Sequence, residues 1–283
     1  MKAVRVEAIL LYDEGTAEQL NIEEIAKYLI DKLKRVPVEV RGNPFASCRE
    51  KDSDWARKLA SIKIQNAARK LVISEPLYGE VQYEQRRILG KTRAFGVLYD
   101  GFHLLRIFSE LIPRGERAPG FVHIFLTNRL FATWDDGDRR YHARTSVYGL
   151  SSVISTTGIV EAPAKPREYY VLKQQYEMLG KDLLELKERF KGSFIDYEDE
   201  RLTEVVKGYA MQAVFYSSTG DPFCDDKGCR LYNAHWQEEL IFAQLESEYE
   251  FCPRHTGLLN LMQTSRPDPK NARRKLDIDN TIW

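Results

Sequence analysis

The chain has 283 residues, enough for one large domain or two modest ones, and either can bury a hydrophobic core. Its 42 lysines and arginines balance 42 aspartates and glutamates, which excludes a protein that attracts nucleic acid through overall positive charge. The hydrophobic fraction of 43% is typical of a folded protein, and no apolar run approaches the roughly 20 residues that span a membrane. The first residues reach acidic side chains too early for a secretory signal, so we expect a cytoplasmic protein without nucleic-acid or membrane partners.

The N-terminal part of the sequence alternates between strand and helix patterns. Concentrated β-branched and apolar residues predict strands over 4–12, 36–40, 93–99 and 121–127. Apolar residues at helical spacing predict helices over 22–33, 52–70 and 103–112. Strands that alternate with helices predict an α/β fold.

The C-terminal part changes character after an acidic turn around 134–140. Two further strands are predicted within 142–149 and 151–160, followed by a long charged helix over 165–189 and a more apolar helix over 198–217. The predicted organisation is an α/β subdomain (1–223), a C-terminal metal-binding subdomain (224–265) and a polar tail (266–283).

Three of the four cysteines are clustered near the C-terminus, whereas Cys48 stands alone. Cys224 and Cys229 form one short pair, and Cys252 and His255 form a second pair after 22 further residues. Two such pairs can face each other across one tetrahedral ion, and thiolate and imidazole ligands suit Zn²⁺. We therefore predict one structural zinc per chain. The alternatives are buried thiols without metal, or a disulfide between Cys224 and Cys229, although the spacing of these two cysteines is not the CxxC of redox sites.

The residues before Cys224 carry a more specific signal. A predicted helix runs into Gly220 and then Cys224, the frame in which metzincin-type zinc peptidases place the motif HExxHxxGxxHC. The spacing from Cys224 to Cys229 also matches, and FCPRH matches a final C-x2-C pair with His255 in place of the last cysteine. Over 200–256 the chain thus resembles a divergent archaeal branch of the archaemetzincins. The resemblance implies an α/β metzincin-like mixed sheet with packed helices, plus a small zinc-stapled C-terminal subdomain.

The sequence departs from this family at every catalytic position. The two helical histidines, the glutamate and the third histidine correspond here to Ala213, Ser217, Val214 and Phe223, respectively. These side chains supply no full ligand set and no general base, so the catalytic site is predicted to be inactive. Leu231 replaces the methionine expected after the second cysteine. We predict instead that Ala213, Val214 and Phe223 form the apolar floor of a cleft.

The predicted function is that of a zinc-binding, metallopeptidase-like protein without peptidase activity. Its cleft would bind an extended apolar peptide or a protein partner along the strand 121–127 or a neighbouring strand through 153–156. The alternative is an active hydrolase whose catalytic groups have moved. His235, Glu238 and Glu239 are the candidates for that site, since they lie together between the two ligand pairs.

Overall fold

The computed structural model describes residues 4–15, 18–46, 52–90 and 96–264. Its strands are β1 (Ala8–Asp13), β2 (Val38–Arg41), β3 (Leu98–Asp100), β4 (Phe121–Thr127), β5 (Leu130–Asp135), β6 (Arg140–Arg144), β7 (Ser146–Tyr148) and β8 (Ser151–Ser155). Its α-helices are α1 (Ile22–Leu33), α2 (Asp52–Ser61), α3 (Tyr78–Ile88), α4 (Gly101–Leu111), α5 (Thr156–Glu161), α6 (Arg167–Met178), α7 (Leu183–Arg189), α8 (Leu202–Thr219), α9 (Gln237–Ile241) and α10 (Pro253–Thr264). The π-helical turn Phe242–Glu246 continues α9.

The larger sheet has five strands in the order β2-β1-β4-β8-β7. The first four of these are parallel, and β7 pairs antiparallel with β8 at one edge. Successive residues of β1 face opposite sides: Ile9 and Leu11 pack with α1 and α8, whereas Leu10 packs with α2 and α4. A parallel sheet buried on both faces needs almost continuously apolar strands, and β4 is buried along its whole length. The α/β class and the mixed sheet with packed helices are confirmed.

A smaller sheet has the order β3-β5-β6, with β3 parallel and β6 antiparallel to β5. The chain passes from this sheet to the edge of the larger one at Thr145. There the Ser155 amide donates to the Thr145 carbonyl at 2.8 Å. The predicted strand 142–149 is therefore two strands, β6 and β7, which belong to different sheets.

Several predicted boundaries are wrong for identifiable reasons. The helix predicted over 52–70 ends at Ser61, because the next residues pair with β3, and α3 was not predicted at all. The strand predicted over 151–160 stops at Ser155, whose hydroxyl accepts from the Gly158 amide and caps α5. The helix predicted over 165–189 breaks at Gly180, which has φ +62°.

Other sequence predictions fall partly outside the described residues. Residues 93–95 of the predicted strand 93–99, Cys48 and the tail 266–283 belong to this group. Among the described helices, none has both the length and the apolar composition needed to cross a bilayer. The C-terminal residues 224–264 pack into the same apolar core as β1, α1 and α8.

Candidate metal centre and adjoining cleft

The first ligand pair is held by a tight turn between Cys224 and Cys229. The Cys229 amide donates to the Asp226 carbonyl at 3.0 Å, and the Gly228 amide donates to the Asp226 carboxylate at 3.0 Å. The Asp226 amide in turn lies 3.4 Å from the Cys224 sulfur. The Asp226 side chain is itself fixed by the Tyr249 hydroxyl at 2.6 Å. These bonds turn both thiols to one side.

The second ligand pair lies at the start of α10. Pro253 opens this helix, a position where its missing N–H and fixed φ are tolerated. The Thr256 amide donates to the Cys252 carbonyl at 2.9 Å, so the helical hydrogen bonds begin at Cys252. His255 follows within one turn and its side chain reaches the same site.

The structure brings the four predicted ligands together. Their ligand atoms all lie within 4.8 Å of one another, and Cys224, Cys229, Cys252 and His255 are all buried. The Cys224 and Cys252 sulfurs are 3.8 Å apart, and the Cys229 sulfur lies 3.6 Å from His255 Nδ1. Zinc bond lengths and tetrahedral angles give about 3.8 Å between two sulfurs and about 3.6 Å between sulfur and nitrogen. The Cys252 sulfur and His255 Nδ1 are closer together, at 3.2 Å. The donor set and its spacing therefore fit a tetrahedral metal ion.

Burial favours the neutral forms of Cys224, Cys229 and His255 when no cation is bound. It raises the pKa of the Cys229 thiol to about 12 and also raises the pKa of the Cys224 thiol. Burial, together with the charge of Arg254, lowers the pKa of His255. A cation that binds here must therefore displace the thiol protons, and its charge then compensates the buried thiolates.

A cleft of about 520 Å³ adjoins this cluster. One wall is Ala143–Tyr148, which contains the edge strand β7, and the other wall is Pro222–Phe223 together with Tyr232–His235. Three side chains of α8 form the floor: Tyr209, Gln212 and Tyr216. The cleft and the metal cluster share the chain segment from Phe223 to Cys224.

Aromatic side chains join the walls to the floor. The Tyr148 ring stacks on Tyr216 at 5.7 Å between centroids and meets the edge of Phe223 at 6.1 Å. The Tyr148 hydroxyl donates to Gln212 Oε1 at 2.7 Å, and Gln212 Nε2 donates to the Tyr232 carbonyl at 3.4 Å. Burial raises the pKa of Tyr148, so its hydroxyl stays protonated as a donor. Gln212 thereby links the two walls.

The predicted apolar floor is only partly correct. Phe223 lines the cleft, but Ala213 and Val214 have no exposed surface and belong to the core beneath the sheet. Because α8 carries apolar residues on almost every side, the sequence does not indicate which face meets the cleft. Tyr216 and Gln212 were missed for this reason; their spacing of four residues was the available signal.

The three alternative catalytic residues lie near this cleft in different roles. His235 is exposed and lines the cleft. Glu239 accepts from the amides of His235 and Trp236 at 3.0 and 3.3 Å, which caps α9. Glu238 is exposed on the same helix. Within the described part of the chain, one group of three or more histidine, cysteine, aspartate or glutamate side chains is positioned to hold a metal ion. It is the cluster of Cys224, Cys229, Cys252 and His255.

Comparison with known proteins identifies the family. Residues 5–262 match a family model described as "Probable metallopeptidase family (DUF6775)". The chain belongs to this family. A crystal structure of a zinc-dependent peptidase from Methanocorpusculum labreanum (strain Z) is similar over 89% of this chain and 100% of that chain, with 12% identity and a TM-score of 0.43. At this identity and TM-score, the similarity assigns neither a functional site nor an activity to this chain. The comparison with curated proteins finds no match.

Membership of this family confirms the metallopeptidase-like part of the sequence prediction. The narrower assignment to an archaemetzincin branch stays a prediction, as do the identity of the metal and the loss of activity.

Proposed function

We propose that this member of the metallopeptidase family is a zinc-stabilised peptide-binding protein that does not hydrolyse its ligand. The observation that carries the proposal is the floor of the cleft. There α8 presents Tyr209, Gln212 and Tyr216, which include no histidine to bind zinc and no glutamate to act as the general base of a zinc peptidase. A peptidase of the zinc type needs both kinds of group at this point.

The zinc ion is assigned to Cys224, Cys229, Cys252 and His255. Three thiolates and one imidazole complete a tetrahedral shell, which leaves no position for a water molecule or a substrate carbonyl. When bound there, zinc supplies folding energy by linking the 224–229 turn to the start of α10. The burial of all four ligands supports this structural role.

Peptide binding is assigned to the edge strand β7. The strands predicted for this role, 121–127 and 153–156, do not fit it, because β4 and β8 are each paired on both sides within the larger sheet. One edge of β7 pairs with β8, no described strand pairs with its other edge, and its residues Ser146–Tyr148 line the cleft. An extended peptide added at such an edge gains main-chain hydrogen bonds, while side-chain pockets provide selectivity. The aromatic walls around Tyr148 offer such a pocket.

The competing hypothesis is a relocated active site around His235. Its position in the wall of the cleft favours that hypothesis, because a ligand bound there would pass the imidazole. The capping role of Glu239 counts against it, since a carboxylate that already holds two backbone amides is poorly available as a base.

Activity measurements separate the two hypotheses. Purified protein with its zinc content determined is incubated with a broad peptide library, and products are identified by mass spectrometry with and without a chelator. We expect no chelator-sensitive cleavage. Cleavage that His235→Ala or Glu238→Gln abolishes, and that the exposed control Glu200→Gln preserves, would establish the relocated site instead.

A further inference from the structure

Charge in the cleft is one-sided. Its lining includes Arg144 and His235, and no aspartate or glutamate is among the lining residues. The chain as a whole has equal numbers of acidic and basic side chains, so this cleft differs from the average surface. A cationic cleft favours a ligand with negative charge.

Arg144 is held in place by its surroundings. Its backbone pairs with Phe131 in the smaller sheet, and its carbonyl lies so close to Gly158 that a Cβ there would collide with it. Its side-chain Nε donates to Thr133 Oγ1 at 2.8 Å, which orients the guanidinium. An oriented guanidinium offers its terminal N–H groups as a fork that matches a carboxylate.

No acidic side chain of the described residues forms an ion pair with Arg144. Asp135 is near enough for the Arg144 charge to contribute to lowering its pKa, but the main causes of that shift are hydrogen bonds from the amides of Asp138 and Gly137. Those amides donate to the Asp135 carboxylate at 3.0 and 2.7 Å. Arg144 is therefore a cationic side chain of the cleft lining that has no acidic partner among the described residues and is available to an anionic ligand.

The position of Arg144 indicates which carboxylate would reach it. It lies two residues before the start of β7, which spans only Ser146–Tyr148. A peptide that pairs antiparallel with β7, the commoner and more stable arrangement, runs toward the start of β7 and ends beside Arg144. Since β7 can pair with only a few residues, a chain end fits this geometry better than the middle of a long strand.

We propose that the cleft recognises the C-terminal carboxylate of an extended peptide through Arg144, with the last side chains resting against Tyr148, Tyr216 and Phe223. This inference rests on the proposed peptide-binding function and names the ligand class for the same cleft. Arg144 is a specificity-determining residue: it selects peptides that end in the cleft with a free carboxylate.

The test compares two forms of one probe. An N-acetylated four-residue peptide of alternating alanine and valine that ends in phenylalanine is prepared with a free carboxylate and with an amidated C-terminus. Binding to the full-length protein is measured by calorimetry. Because a charge-assisted hydrogen-bond pair is formed only with the free acid, we expect it to bind roughly ten- to a hundredfold more tightly than the amide.

Variants assign this preference to one residue. Arg144→Gln should bring the ratio close to one, and Arg144→Lys should keep part of it because the charge remains without the fork. Arg140→Gln is the matched control on the same strand, since Arg140 is exposed and lies outside the cleft lining. It should leave the ratio unchanged. The N–H signals of the Arg144 guanidinium, followed by NMR in the unmodified protein, should shift with the free acid and not with the amide.

The outcomes distinguish this inference from the function on which it rests. Equal binding of both peptides, or an unchanged preference in Arg144→Gln, overturns the carboxylate inference and leaves peptide binding intact. If an amidated peptide with an internal glutamate binds as tightly as the free acid, the cleft recognises an acidic side chain and not the C-terminal carboxylate, and the inference is wrong. Binding of no probe at millimolar concentration overturns both proposals.

Discussion

Arg129 is a cation without exposed surface at the carboxyl end of the central strands. It lies two residues after the end of β4 and extends toward Glu14, which follows β1, with Nε 2.7 Å from a Glu14 oxygen. Its Nη1 donates to Glu84 at 2.6 Å. Burying a charge is costly unless it is paired, and here the guanidinium joins two carboxylates from separate parts of the chain.

Glu84 is the centre of this network. It also accepts from the Tyr99 hydroxyl at 2.7 Å and pairs with Lys63 at 2.8 Å. Burial acts to raise the pKa of Glu84, yet the charges of Arg129 and Lys63 outweigh it and hold the pKa below the ordinary value of 4.5. The carboxylate is therefore ionised in the folded protein.

Removing the Glu84 charge should destabilise the protein. Glu84→Gln leaves the buried Arg129 and the partly buried Lys63 with one carboxylate fewer, so we expect a loss of about 3–5 kcal/mol in the free energy of unfolding. Urea denaturation measures it, with the exposed Glu200→Gln as the matched control that should change stability by less than about 0.5 kcal/mol. If Glu84→Gln lowers the free energy of unfolding by less than about 1 kcal/mol, the remaining partners of Arg129 and Lys63 are sufficient to compensate their charges.

The same carboxylate gives a prediction for pH. Because the folded pKa of Glu84 is depressed, its contribution is fully present above the unfolded pKa and is lost as the pH falls through the folded pKa. The stability gap between the unmodified protein and Glu84→Gln should stay constant above about pH 5 and shrink below it. Denaturation curves between pH 3 and about 7 test this, and parallel profiles for both proteins would contradict it.

At this scale the sequence was informative where chemistry is local. The clustering of the four candidate metal ligands was predictable because each pair lies within six residues and forms its own turn. The Arg129 network was not predictable, since its members follow β1 and β4, lie in α3 and β3 or, as Lys63, beside β3, and they meet only after the sheets have formed. The cleft floor of α8 was missed because Ala213 and Gln212 are neighbours in sequence but face opposite environments.

Between elements, α8 and the π-helical turn Phe242–Glu246 approach each other closely at Gly208. Gly208 makes room for Gln244, whose Cδ would lie 2.6 Å from a Cβ at that position. Gln244 is buried and cannot swing away, because its Nε2 donates to the Arg230 carbonyl at 2.8 Å. The glycine thus sets the spacing between α8 and residues 224–264, the candidate metal-binding region.

A pair of glycine substitutions with opposite outcomes tests this packing. Gly208→Ala should destabilise the protein by about 1–3 kcal/mol, because overpacking exceeds the gain in helix propensity. Gly257→Ala in α10 is the control: nothing lies within 4 Å of its added Cβ, so it should stabilise by about 0.5–1 kcal/mol. Thermal unfolding of both variants reports the signs, and stabilisation by Gly208→Ala would show that Gln244 is free to move.

The accuracy of the predicted elements followed their periodicity. Helix α1 was predicted to the residue because Asn21 caps it and its apolar face is regular. The single predicted helix over 165–189 was two, because Gly180 and the Asp182 cap interrupt a continuous apolar stripe. The crossing of the chain between two sheets at Thr145 depends on tertiary pairing, which a single sequence does not reveal.

Across the whole molecule, the metal-binding region is joined to the α/β body by both apolar and charged contacts. Leu231 and Phe251 lie in the same core as Ile9 of the central sheet. Glu250, two residues before Cys252, pairs with Arg230 at 3.0 Å and also with Lys32 of α1. Loss of the metal should therefore be transmitted to the sheet and not remain local.

Cys252→Ser and chelation of the native protein test this coupling. Zinc content by elemental analysis should fall from one per chain to well below it, since a tetrahedral site that loses one thiolate binds weakly. We expect the melting temperature to fall by about 10 °C or more, which corresponds to about 5 kcal/mol or more for a chain of this size. Asp225→Asn, at an exposed side chain between the first two ligands, is the control and should retain zinc and stability. Unfolding should remain a single calorimetric transition, because the metal-binding residues and the sheet share one core.

An unchanged zinc content and melting temperature in Cys252→Ser would refute the ligand assignment, whereas a separate low-temperature transition would mean that the metal-binding region unfolds without the sheet.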